Sequence, residues 1–132
     1  MGESLLADSS EYVRAWTIQL LSESKKFSDT LLVEFAKLAK DDPSPVVRLY
    51  LASALQRIPI EKRSPILEAL LAHGEDVNDH NLPLMYWYAA EPVAGKSSTA
   101  AAMLMAKSKI PLVREFLARR MSAAANATAS AK

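Results

Sequence analysis

Apolar residues return every three or four positions through most of this chain. Leu31, Leu32, Phe35 and Ala36 share one helical face, and Ile66, Leu67, Leu70 and Leu71 repeat that stripe 35 residues later. Breakers and caps divide the pattern into seven segments. Ser9 or Ser10 can cap a first helix to about residue 22, with Glu11 complementing its dipole, and a second runs from about residue 28 to 40. Asp41-Asp42-Pro43 stops the second, because a proline disfavours helical geometry in the residue before it. Ser44 and Pro45 open a third to about residue 57, and a fourth is predicted over about 61–73, with Gly74 placed for a left-handed stop. A fifth begins at Leu82-Pro83 and is expected to end at Glu91-Pro92; the sixth covers about 97–107 and the seventh about 110–124.

These helices repeat. Asp8 precedes Arg14 by six residues, Asp42 precedes Arg48 by the same distance, both with a Val-Arg pair, and Ile110-Pro-Leu-Val-Arg114 restates the second half. Arg14 and Arg48 lie 34 residues apart, a period that suits stacked helical hairpins. Aligning the first helix of each pair matches Val13, Val47, Met85 and Val113, and then Trp16, Tyr50, Tyr88 and Phe116. A large ring at one depth in every layer predicts an aromatic column in the core.

The aspartate–arginine spacing, with proline beside the second, resembles the HEAT-repeat family of helical solenoids. That resemblance implies an all-α superhelix in which the aspartate caps a turn and the arginine pairs along the stack. Tyr86 stands where a third arginine belongs and His80 where its aspartate belongs, so the ladder is expected to lapse after the second repeat. The expected division is one domain over 1–124, with repeats at about 8–40, 42–74, 80–107 and 110–124, making three hairpins plus a seventh helix. Residues 125–132 are expected to form a disordered tail or linker, being Ala, Ser, Thr and Asn with little to bury. Longer strings, from Asp42 to Arg57, Asn81 to Pro92 and Lys109 to Arg120, are similar to the helical middle region of large PVC-type haem-binding proteins. In those multidomain bacterial proteins a sugar-dehydrogenase-like propeller precedes helical repeats and a cytochrome c module. The likeness implies a segment of an exported, periplasmic redox protein, but this chain has no Cys-x-x-Cys-His site, so no haem or other cofactor is assigned to it.

Composition sharpens this reading. The 132 residues are 50% hydrophobic, enough for one packed domain of soluble type, and no apolar run approaches the roughly 18 residues a membrane span needs. Without cysteine the chain has no disulfide framework, thiolate catalysis or Cys-ligated zinc. The net charge of +1 is uneven: residues 77–132 hold seven bases against three acids, while both preceding thirds are slightly acidic.

Candidate chemistry is sparse. No Ser/His/Asp or paired-carboxylate arrangement has a recognisable spacing, which argues against an enzyme. Tyr86, Trp87, Glu91 and His80 form the densest aromatic and polar group and are the candidate binding groove. Arg114, Arg119 and Arg120 are a candidate anion patch, the basis of an alternative reading as a nucleic-acid-binding solenoid. His73 and His80 flank Glu75, Asp76 and Asp79, donors that zinc could use, although the spacing is that of a polar linker. Ala90 to Ser97 meets a relaxed phosphate-loop pattern, but Pro92 and the helical reading of 82–90 deny it the preceding strand. Asn126-Ala-Thr128 matches a glycosylation acceptor by chance. The favoured function is a non-catalytic scaffold or protein-interaction module, binding a protein or neighbouring domains, with homodimerisation possible through an uncovered terminal repeat.

Overall fold

A computed structural model describes the backbone of residues 2–130 and the side chains of residues 3–126. Every regular element among them is helical. After a 3-10 helix, Gly2–Ala7, come α1 (Glu11–Glu23), α2 (Asp29–Asp41), α3 (Pro45–Leu55), α4 (Ser64–Leu71), α5 (Leu82–Lys96), α6 (Ser98–Lys107) and α7 (Pro111–Ser130). The caps act as their chemistry suggests: the hydroxyls of Ser10, Ser28, Ser44 and Ser97 accept from free amides in the first turns of α1, α2, α3 and α6.

Four helix limits differ from the periodicity, each for a local reason. Pro65 is admitted only in a first turn, so α4 starts at Ser64 and Ile60–Lys62 before it is a separate 3-10 turn. Pro92 does not end α5, which continues through it to Lys96. The bond lost is the one to the carbonyl of Tyr88, a residue on the exposed side where water can replace the donor. Gly74 has no left-handed backbone and opens a 3-10 helix; the positive φ, 58°, belongs to Lys25 just after α1. Finally, α7 runs past residue 124 to Ser130, since alanine is the strongest helix former and Ala123, Ala124 and Ala125 prolong it. Residues 131–132 of the expected tail lie outside the described residues, as does the Thr128 side chain of the glycosylation triplet.

The helices form two tiers. In one, α1 packs on α3, α3 on α5 and α5 on α7; in the other, α2 packs on α4 and α4 on α6. The tiers close on each other through α2 with α3, α4 with α5, and α6 with both α5 and α7. One apolar core runs between them, from Leu6 to Leu117, with Ile18, Phe35, Leu51, Leu55, Leu67, Leu70 and Leu104 sealed from solvent.

The expected aromatic column is not in that core. Trp16 is 56% and Tyr88 53% exposed, while Tyr50 and Phe116 are only partly covered. The buried column is the next residue along each helix: Thr17, Leu51, Ala89 and Leu117. Successive residues on a helix point about 100° apart, so the buried face lies one position along from the rings. Small and aliphatic side chains let the tier close, and the rings line its outer surface.

Candidate functional site

The arrangement that organises the molecule is a pair of charged bonds set one after the other along the first tier of helices. Arg14 donates from Nε and Nη2 to the two carboxylate oxygens of Asp42, at 2.7 and 3.0 Å, and from Nη1 to the carbonyl of Asp8, at 2.9 Å. Arg48 repeats the pattern one layer on, with Nε and Nη2 on Asp76 at 2.8 and 2.6 Å and Nη1 on the carbonyl of Asp42 at 3.2 Å. Each aspartate is 28 residues beyond its arginine, so each pair ties one layer to the next. Asp8 and Asp42 also accept the amide two residues ahead, from Ser10 and Ser44. Thus the Asp42 side chain both supports the start of α3 and receives an arginine. A forked, two-bond contact of this kind fixes orientation as well as position. A second link runs alongside, where Ser44 donates to Glu11 at 2.9 Å.

The ladder goes further than the sequence pattern allows for. Asp76, 34 residues after Asp42, takes the second arginine and also accepts the Tyr86 hydroxyl at 2.7 Å. His80 stands six residues before Tyr86, where the spacing predicts the aspartate, because ahead of α5 the aspartate's two duties are split. Asp76 keeps the arginine, while Asp79 takes over the capping, accepting amides from Asn81 and Leu82 at 2.8 and 2.9 Å. Continuing the period from Asp8 through Asp42 would have found Asp76.

Burial sets the electrostatics. Desolvation pulls the Arg48 guanidinium down, but the Asp76 hydrogen bond and charge outweigh it and leave the group above its ordinary value. At Arg14 the bond to Asp42 dominates and raises it. Arg63 has no carboxylate; it donates to the carbonyls of Ile58, Ala89 and Gln56, and burial lowers its pKa. Tyr86, fully enclosed, is pushed well above an ordinary phenol, first by desolvation and then by its bond to Asp76. The folded protein therefore holds the Tyr86 proton where an unfolded chain begins to release it, near pH 10. Stability from this group is intact below that point and is lost as pH rises beyond it. Urea unfolding of the parent and Tyr86→Phe between about pH 8 and 11 should show the parent losing its advantage as alkalinity increases.

The sequence-derived site residues are redistributed. His80, Tyr86, Trp87 and Glu91 do not line one groove. Tyr86 is a core residue of the ladder, and exposed His80 borders a separate hollow of about 380 Å3 with Pro83, Leu84 and Ile110. Trp87 stacks edge-on against Phe116, ring centres 5.3 Å apart, in a shallow hollow that also includes Arg119 and Arg120. Glu91 reaches Arg120 at 3.5 Å, and Arg119 pairs with Glu115 at 2.6 Å. Two members of the anion patch are therefore engaged by acids. Arg114 stands apart, its Nη1 on the carbonyls of Met105 and Ser108.

His73 has acceptors against both ring nitrogens, Glu75 at 3.0 Å and the Ala39 carbonyl at 2.6 Å, so it links α4 to the end of α2. Among the described residues no group of three His, Asp or Glu side chains could hold a metal ion, and no helix is long and apolar enough to cross a membrane. Gly95 and Lys96 are the last turn of α5 and Ser97 caps α6, so the phosphate-loop pattern falls on a helix-to-helix junction. On the outer face of the first tier, Trp16, Gln19, Leu49, Tyr50, Ser53 and Met85 enclose a groove of about 370 Å3 spanning α1, α3 and α5. Exposed Tyr12 and Leu20 extend it along α1. No family model, curated protein or solved structure matches the chain.

Proposed function

We propose that this chain is a HEAT-like solenoid segment that serves as a non-catalytic scaffold and protein-interaction module. The observation that carries this reading is the Arg14–Asp42 and Arg48–Asp76 ladder, which joins each helical pair to the next at a constant sequence interval. A device of that kind holds long helical faces in fixed register, which suits recognition over an extended surface. The recognition surface is the groove around exposed Trp16 and half-buried Tyr50, flanked by the polar Gln19 and Ser53, and its occupant is a peptide segment of a partner protein with a large apolar anchor. The resemblance to PVC-type haem-binding proteins supports a parent that is an exported redox protein, with this segment as the spacer between its chemical modules. The nucleic-acid alternative draws less support, because Arg119 and Arg120 face carboxylates.

Selection from a random-peptide library on the purified protein tests the reading. Enriched peptides should carry an aromatic or large aliphatic anchor and bind at least about tenfold more weakly to Trp16→Ala. A labelled single-stranded oligonucleotide should not bind even at low salt. Enriched peptides indifferent to Trp16 and Tyr50, or tight salt-sensitive oligonucleotide binding, would overturn it.

A further inference from the structure

Two ladder side chains have no partner across the stack among the described residues, and they are complementary. Three arginines share one local geometry: Arg14, Arg48 and Arg114 each place Nη1 on the carbonyl six residues earlier, in Asp8, Asp42 and Ser108. Ser108 even reproduces the cap, its hydroxyl accepting the Ile110 amide. Arg14 and Arg48 direct the Nε and Nη2 edge onto an aspartate of the next layer. The same edge of Arg114 meets no carboxylate among the described residues, and the residue is exposed.

At the opposite end stands Asp8. It has the local geometry of Asp42, with one carboxylate oxygen on the amide two residues ahead, yet among the described residues no arginine pairs with its carboxylate; Arg14 meets only its backbone carbonyl. Asp8 lines a hollow of about 630 Å3 in which Glu3, Glu34, Asp41 and Asp42 outweigh the two bases, Arg14 and Lys37, that are held by Asp42 and Glu34. Val13 gives the same indication in apolar terms. Of its counterparts, Val47 and Val113 are completely buried and Met85 is half-buried, and α7, which carries Val113, packs mainly on α5 and α6, so this position faces the preceding layer. In α1 it is 37% exposed even though the 3-10 helix Gly2–Ala7 packs on α1, and Leu5 of that helix is 47% exposed. One end of the stack thus offers an acidic, partly apolar socket, and the other an unmatched guanidinium in the most basic part of the sequence.

We infer that this chain stacks head to tail on a second copy of itself, with Arg114 of one copy forming the next ladder bond to Asp8 of the following copy. Such a contact is heterologous, using different faces of the two molecules, so it propagates into short rods unless geometry closes it. The inference rests on the repeat-stack reading but can fail separately from it, because the Arg48–Asp76 bond lies within a monomer and association does not.

Sedimentation velocity of the full chain across the micromolar to millimolar range, at low and high salt, provides the test. The expected result is concentration-dependent association that weakens with salt, and falls at least about tenfold in Asp8→Arg and in Arg114→Asp, since like charges then face each other. Mixing those two variants should restore it, because every junction again pairs opposite signs. Asp8→Asn keeps the capping oxygen and Arg114→Gln is mild, so both guard against a folding defect and should also weaken association. A parent that stays monomeric at low salt, variants that associate like the parent, or a mixture that does not recover would each overturn the proposal.

Discussion

Asp76→Ala should destabilise the protein by about 3–5 kcal/mol, the cost of leaving a buried charge without its partner. The Arg48 and Asp76 side chains are each only 3% exposed, and the carboxylate receives both an arginine fork and the Tyr86 hydroxyl. Deleting it strands a guanidinium and a phenol that are almost wholly screened from solvent. Asp79→Ala, three residues away, removes only the α5 cap and should cost about 1 kcal/mol. Urea unfolding of both variants checks the contrast. Equal losses would mean that Asp76 is an ordinary surface aspartate.

Leu51→Ala and Trp16→Ala should separate just as widely, in the order opposite to side-chain size. Leu51 is sealed in the core between neighbouring helices of the first tier, and truncating such a leucine costs about 2–5 kcal/mol because the cavity cannot fully collapse. Trp16 is more than half exposed, so its loss should change stability by no more than about 0.5–1 kcal/mol. Thermal and urea midpoints measure both. A large loss for Trp16→Ala would return the ring to the core and remove the groove on which recognition depends.

What could be read from the chain divides along physical lines. Short-range features were legible. Ser10, Ser28 and Ser44 cap where their side-chain oxygens can reach free amides, and Pro45 opens α3, because both depend on neighbours a few residues away. The seven helices were legible too, but not which side of each faces inward: Trp16 and Thr17 are adjacent in sequence and about 100° apart in space, and ring size favoured the wrong one. Asp76 escaped notice because its partner is 28 residues upstream and its cap belongs to Asp79. Arg63, with three carbonyls and no acid, carried no sequence signal at all. The candidate groove dissolved for the same reason as the ring column, since Tyr86 and Trp87 occupy different faces of α5. The surface around Trp16 combines residues from three helices and became visible only when those helices were set side by side.

The account turns on successive layers being locked by buried arginine–aspartate bonds, and a double-mutant cycle at Arg48 and Asp76 addresses that directly. Urea unfolding of Arg48→Met, Asp76→Leu and the combination should show each single change strongly destabilising and the pair recovering much of the loss, a coupling on the order of 2 kcal/mol or more. Simple additivity, with the double variant as unstable as the two single losses combined, would mean that the side chains do not meet and that the layers are not joined in this way.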